Sequence, residues 1–327
     1  MNRRDLLTGF LAGGAFTAAN GYLWQKAADS FSPDTSNDPL VNAEPASDRE
    51  TVFPLSEDTS LDSGALADGK IEDLLPESKL APGAVPQVAK AEHYLDKVRN
   101  FESEFVDDIH LNELETRTMH SVLLRLKGVE RSVGHGNYNL ISFDRALKFA
   151  KRFKQVGAFT REELDFLEKI FFTEASAYGF LGDKVITELT AEINPSDTVK
   201  IPYSGHYVYR GEAENYYNKL KSDVGSIILT SGIRSNVKQM HLFLAKCVQS
   251  NGNLSKASRS LAPPGHSYHG IGDFDVGKIG WGSANFTDQF SESDEFKRMQ
   301  DLGYVQIRYT ADNRFGVRYE PWHIKVV

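Results

Sequence analysis

The sequence predicts an α+β protein: a small antiparallel sheet with flanking helices over residues 198–327, preceded by an α-helical region over residues 87–197. Three observations carry that prediction. Apolar residues recur at helical spacing between residues 90 and 195. A short β-branched run follows at Ser226-Ile227-Ile228-Leu229-Thr230. Two segments near the C-terminus then alternate apolar with polar residues.

Taken in order, Tyr94, Val98, Phe101 and Phe105 would share the apolar face of a first helix. Ser142 stands where it would cap a helix carrying Phe143, Ala146, Leu147, Ala150 and Phe153. Thr160-Arg161-Glu162-Glu163 has the pattern of a capping box ahead of Leu164, Leu167, Ile170 and Phe171. These aromatic stripes read as core. His93, His110, His120 and His135 lack metal-ligand spacing, so the region shows no chemistry of its own. Further on, 226–230 reads as a buried strand and Asn236 to Val248 as a helix. Residues 304–309 and 315–319 alternate as two strands, with Asp312-Asn313 as the turn between them. His206 and His241 read as structural or exposed. Cys247, the only cysteine, reads as a small buried hydrophobe and excludes an intramolecular disulfide.

The chain has 327 residues, 40% of them apolar, which suits about two domains and excludes a collagen-like or wholly disordered chain. Its net charge is −8. Residues 28–86 hold 7 of the 12 prolines, with 13 acidic and 3 basic side chains. That segment alone carries −10 and leaves +2 for the rest. It reads as a disordered, self-repelling acidic linker. Ahead of it, residues 1–27 pair Arg3-Arg4 with an uncharged stretch over 6–25. This is the pattern of a twin-arginine-type export signal, so a periplasmic protein is expected. Left uncleaved, residues 6–25 would anchor it in a membrane.

Three segments of the C-terminal region hold reactive side chains. The first is Ser231-Gly232-Ile233-Arg234-Ser235 with Gln239; the second runs from Pro263 to Gly277; the third is Tyr319-Glu320-Pro321-Trp322-His323. A hydrolytic zinc site needs about three N/O ligands, an open position, a carboxylate base and a donor for the developing oxyanion. His269, one of the nearby aspartates and His323 supply candidate ligands, Glu320 the base, and Arg234 the cation. If 273–276 is extended, Asp273 and Asp275 share one face while Phe274 and Val276 share the other. Two neighbouring buried carboxylates need a cation, which gives a metal a reason to be there.

Together the three segments resemble the zinc D,D-carboxypeptidases of the VanY type and the related LdcB-type L,D-carboxypeptidases, which trim peptidoglycan stem peptides. Their pattern is SGYRSxxxQ, then PGxSxHxxGxAxD, then EPWH. Here Ile233 takes the Tyr place, the second block keeps Pro264-Gly265, Ser267, His269 and Gly272, and the third block matches in full. The resemblance covers roughly residues 200–327 and leaves 87–197 unexplained. It implies His269 and His323 as zinc ligands, Glu320 as catalytic base, and Arg234 as the substrate or transition-state arginine. Gln239, Ser267 and Trp322 become candidates for the substrate pocket, Ser267 also for orienting a ligand and Trp322 also for plain packing. In the pattern the Asp ligand lies seven residues after the His, but here that residue is Val276. A one-residue deletion makes Asp275 the ligand, with Asp273 as runner-up. A shifted His266/Asp273 register would lose the Ser and Gly matches. The expected activity is zinc-dependent release of the C-terminal D-Ala from stem peptides, with no nucleic-acid partner. The alternatives are a peptidoglycan endopeptidase and a non-catalytic cell-wall-binding protein that keeps the zinc site.

Overall fold

The structure, a computed structural model, describes residues 87–327. The expected export signal over 1–27 and acidic linker over 28–86 lie outside the described residues. Among the described residues no helix is long and apolar enough to cross a membrane.

Helix α1 (Gln87–Arg99) ends before two of the aromatic residues expected on its face. Phe101 and Phe105 lie in the turns that follow. Arg259 organises those turns: it donates to the Phe101 and Ser103 carbonyls and lies 5.0 Å from the Phe105 ring centre. It also binds both oxygens of buried Asp108, at 2.8 and 3.0 Å. α2 (Glu113–Val133) opens with a capping box between Asn112 and Glu115 and buries Met119, Val122, Leu126 and Val129 at helical spacing. A single turn, α3 (His135–Tyr138), follows. α4 (Phe143–Arg152) starts after Ser142 as expected, but that hydroxyl bonds Glu192 at 2.9 Å instead of capping the helix. α5 (Arg161–Phe172) carries the expected Thr160/Glu163 capping box. Glu163 also accepts from Ser121 and Arg125 at 2.5 and 2.6 Å, which ties α5 to α2.

Beyond these helices, β1 (Thr198–Lys200) and β2 (Tyr207–Tyr209) form a short antiparallel pair. Then come α6 (Glu212–Val224), β3 (Ile227–Ser231), α7 (Asn236–Gln249), α8 (Leu254–Ser260), β4 (Phe274–Lys278), α9 (Asp294–Asp301) and β5 (His323–Ile324). The main sheet is antiparallel, in the order β3-β4-β5. Its alternation sends Ile227, Leu229, Phe274, Val276 and Ile324 into a core shared with Tyr217 and Leu220 of α6 and with Phe296 and Met299 of α9. Asp275 is thereby directed to the opposite face.

The strands expected at 304–309 and 315–319 do not form. Only an isolated bridge, Ile307 to Ile324, links that stretch to the sheet. The backbone groups bond elsewhere: Arg318 N–H to the Arg259 carbonyl, Glu320 N–H to Tyr309, and Leu181 N–H to Phe315. Asn313 stabilises the irregular path by donating to the Thr310 and Val317 carbonyls and accepting from Phe315 N–H.

Residues 88–327 cluster as one compact unit. The change of texture near residue 197 does not interrupt the core. Val237, Met240, Phe243, Leu244 and Cys247 of α7 are buried in the same cluster as Met119, Val122, Leu126 and Val129 of α2. A polar network crosses this contact as well. Glu130 of α2 accepts from Lys238 of α7 at 3.0 Å, with His135 at 3.1 Å and His241 at 3.4 Å. Burial pushes the Glu130 carboxyl up, but the hydrogen bond to His135 and the charges of Lys238 and His241 outweigh it and hold Glu130 at about 2. Burial pushes His241 down to about 4.

Because α7 draws its apolar cover from α2 and α4, the 198–327 fragment is expected not to fold alone, whereas 88–327 is. Cooperative thermal unfolding of the longer fragment only, followed by circular dichroism, is the expected result. Acid should also weaken this contact. His241 resists the proton that it accepts near 6.5 when unfolded, and Glu130 resists the one that it accepts near 4.5. Stability should therefore fall with pH from about 6.5 downward, toward the folded values of about 4 and about 2. Urea midpoints should show this slope, and Glu130→Gln should flatten its part below about 4.5.

Candidate active site

β4 is the central strand, and its register assembles the site. Asp275 pairs with Ser231 at the end of β3 and with His323 on β5. A register shift between Leu229 and Ser231 brings the loop that carries Arg234 beside it. His323 is set by a turn at Pro321-Trp322, closed by its own N–H to the Glu320 carbonyl at 3.1 Å. His269 sits in the single-turn 3-10 helix Tyr268–Gly270. The Tyr268 carbonyl there accepts from Ile271, Gly272 and Asp273 at 3.0, 3.0 and 3.2 Å. Gly272 supplies the φ of +146° that this tight return needs. With this turn, Asp275 follows His269 by six positions. Gly232 is required by close approach, since a Cβ there would lie 2.0 Å from the Tyr207 carbonyl oxygen.

His269 Nδ1 lies 2.8 Å from the Gly232 carbonyl, an acceptor only, so Nδ1 carries the proton and Nε2 is left as a lone pair. That Nε2 is 3.2 Å from Asp275 Oδ1, and His323 Nδ1 is 3.3 Å from the same oxygen. The three ligand atoms lie within 4.8 Å of one another, and all three residues are buried. His269 Nε2 and Asp275 Oδ1 have no hydrogen-bond partner despite their proximity. Tetrahedral zinc with bonds of about 2.0–2.1 Å separates its ligand atoms by about 3.3 Å. The donor types, the two spacings to Asp275 and the orphaned atoms all fit a metal of that kind.

Around these atoms, Arg234 donates from Nη2 to Asp275 Oδ2 at 2.7 Å and from Nε to Ser231 Oγ at 2.8 Å. Two of its five donors are thus committed. Glu320 Oε2 lies 3.7 Å from His323 Nδ1, and Glu320 Oε1 lies 3.9 Å from Arg318 Nε. Burial pushes the Glu320 carboxyl up to about 7. Burial lowers His269 to about 4, so its ring is neutral at neutral pH. Burial also disfavours a charged His323, but the hydrogen bond to Asp273 and the negative charges of Asp275 and Asp273 outweigh it and raise the ring to about 9. The carboxyl of Asp275 is held well below its usual range because His269 and Arg234 overcome its burial.

The remaining candidates lie apart from these atoms or behind them. Asp273 shares the face of Asp275, as alternation predicts, but its oxygens go to His323 Nε2 at 3.0 Å and to Arg308. His266 is turned away, with Nδ1 3.1 Å from the Gly182 carbonyl and its ring edge-on to Phe180. Gln239 is buried in α7 and donates to the Ala262 carbonyl at 2.6 Å, which holds the start of the Pro263-Pro264 loop. Ser267 is buried just ahead of His269 and caps nothing with its side chain. Trp322 belongs to the core beneath the sheet, with Phe286 edge-on at 6.0 Å and the Arg318 guanidinium 4.9 Å from its ring centre. His206 is close enough for the charges of Arg234 and Asp275 to act on it, although burial is what chiefly lowers it to about 3. Sequence reasoning missed Arg308 and Arg318. The available signal was an arginine inside each of two otherwise apolar, aromatic-rich segments.

Trp322 is only 3% exposed. Trp322→Ala should therefore cost about 3–5 kcal/mol of stability. Denaturant unfolding of 88–327 checks this, with a clear loss in midpoint expected.

No curated protein matches the chain. Among solved structures it is similar to the LdcB L,D-carboxypeptidase, at 22% identity over 41% of this chain and 70% of that one, with a TM-score of 0.34. It is also similar to a mutant of the vancomycin resistance D,D-pentapeptidase VanY in complex with Zn(II), at 22% identity over 40% and 78%, with a TM-score of 0.33. A third is VanYB in complex with D-alanine-D-alanine, at 20% identity over 45% and 84%, with a TM-score of 0.36. Every residue of the His269, Asp275, His323, Glu320 and Arg234 group falls within 209–327, and it is over those residues that the chain matches the family model of VanY, D-alanyl-D-alanine carboxypeptidase.

Proposed function

We propose that this protein is an exported zinc carboxypeptidase that removes the C-terminal D-Ala from peptidoglycan stem peptides. One observation carries the reading: His269 Nε2, Asp275 Oδ1 and His323 Nδ1 converge at zinc-ligand spacing with Glu320 and Arg234 beside them. The family match over 209–327 supports the carboxypeptidase class. The periplasmic location and the twin-arginine route rest on Arg3-Arg4 and the uncharged stretch over 6–25, which would also serve as an anchor if retained.

In this reading His269, Asp275 and His323 hold the zinc ion. When bound, zinc supplies Lewis acidity and a water made acidic enough to attack near neutral pH. Glu320 takes the proton of that water and returns it to the leaving amine. Its burial keeps its proton affinity near the working pH, where a general base is most effective. Arg234 uses its uncommitted donors on the developing oxyanion or on the substrate's terminal carboxylate, while Ser231 and Asp275 fix the guanidinium in place. Asp275 meets both demands at once, with Oδ1 toward the ligand cluster and Oδ2 toward Arg234. A binding protein would have no use for a buried, proton-hungry carboxylate at this position.

Mass spectrometry of products from defined tri-, tetra- and pentapeptide stems tests the reading. Loss of one C-terminal alanine is expected, and cleavage inside the stem or no cleavage by the zinc-loaded protein would overturn it. Glu320→Gln should lose about 10²–10⁴-fold in kcat while retaining zinc. Because His323 is cationic below about 9, zinc has to displace a proton from it. Zinc binding near pH 7.5 should therefore release about one proton, read as a buffer-dependent enthalpy in calorimetry, and affinity should rise with pH up to about 9.

A further inference from the structure

We infer that Asp273 is a positioning residue for His323: held by Arg308, it fixes the imidazole so that Nδ1 is the ring nitrogen presented to the zinc ion. This rests on the reading of His323 as a zinc ligand and adds the group that makes it one.

Asp273 is buried and its acceptor positions are filled. Oδ2 lies 3.0 Å from His323 Nε2 and takes Arg308 Nε. Oδ1 takes Arg308 Nη2 at 3.2 Å and the Val326 N–H at 2.9 Å. To ligate a metal, Asp273 would have to give up these bonds and leave a buried arginine without its carboxylate. The same bonds suit it to a different task. The two nitrogens of an imidazole face opposite ways, so a carboxylate that accepts from Nε2–H leaves Nδ1 as the lone pair and points it at Asp275 Oδ1, 3.3 Å away. Carboxylate–histidine pairs of this kind fix the tautomer and raise the basicity of metal ligands.

The clamp reaches both ligand histidines. The Arg308 guanidinium lies 3.5 Å from the ring centre of Tyr268, the residue before His269, and also donates to the Val327 carbonyl. The Tyr309 ring meets the His323 ring edge-on at 4.9 Å, and the His269 ring does so at 4.7 Å, which leaves the imidazole little room to turn over. Arg308 therefore ties the turn that carries His269 to the strand that carries His323 through one carboxylate.

The test uses residues 88–327 and reads the ring nitrogens of His323 by long-range ¹H–¹⁵N correlation in the metal-free protein above pH 9, assigned by their absence in His323→Gln. The expected wild-type spectrum is that of the Nε2–H tautomer. An Nδ1–H tautomer would overturn the inference, whether or not Asp273→Asn folds. In Asp273→Asn the tautomer preference should weaken, and zinc affinity, measured by competition with a chelator, should fall about 10–100-fold. Unchanged affinity with unchanged ring shifts would also overturn it. A wild-type protein that takes up no zinc overturns the proposed function instead, while the metal-free spectrum still decides the role of Asp273.

Discussion

Asp273 and Asp275 stand two residues apart at the start of the central strand, both buried and both ionised, and the surrounding structure answers that constraint. Each carboxylate has its own arginine: Arg308 for Asp273 and Arg234 for Asp275. Each also faces His323, one on either edge of its ring. Two anions at this depth would be untenable alone. The two guanidiniums offset both charges, and the imidazole held between the two carboxylates is raised to about 9 by them.

The arrangement of the candidate site was legible because it rests on short-range rules. Alternation placed Asp273 and Asp275 on one face and Phe274 and Val276 in the core, and the register of β4 bears this out. The turn at Pro321-Trp322 brings Glu320 and His323 to one place, as its residues suggested. The capping box at Thr160 was readable for the same reason. What was not legible depended on distant partners. The segments at 304–309 and 315–319 alternate like strands, yet the second bonds its backbone to Arg259 and Leu181, neither of which is near in sequence. Phe101 and Phe105 keep helical spacing but are held by Arg259, about 150 residues away. Period alone cannot distinguish Trp322 in a pocket wall from Trp322 in a core.

The helical region acquires a role through α7. The helix follows directly on the Arg234 loop and is covered by α2 and α4. Asn139, at the end of α3, accepts from Ser235 N–H at 2.8 Å, so backbone from this region buttresses the residue next to Arg234. Glu130 adds the charge that Lys238, four residues after Arg234, requires at its depth. Residues 87–197 hold none of the candidate catalytic groups, yet the position of the arginine depends on them.

The most direct measurement is a crystal structure of zinc-loaded 88–327 with anomalous data at the zinc edge. The account predicts one peak coordinated by His269 Nε2, an Asp275 oxygen and His323 Nδ1, with Glu320 beside the open position and Asp273 still on His323 Nε2. A peak bound through Asp273 or His266, or no ordered peak at these three residues, would contradict it.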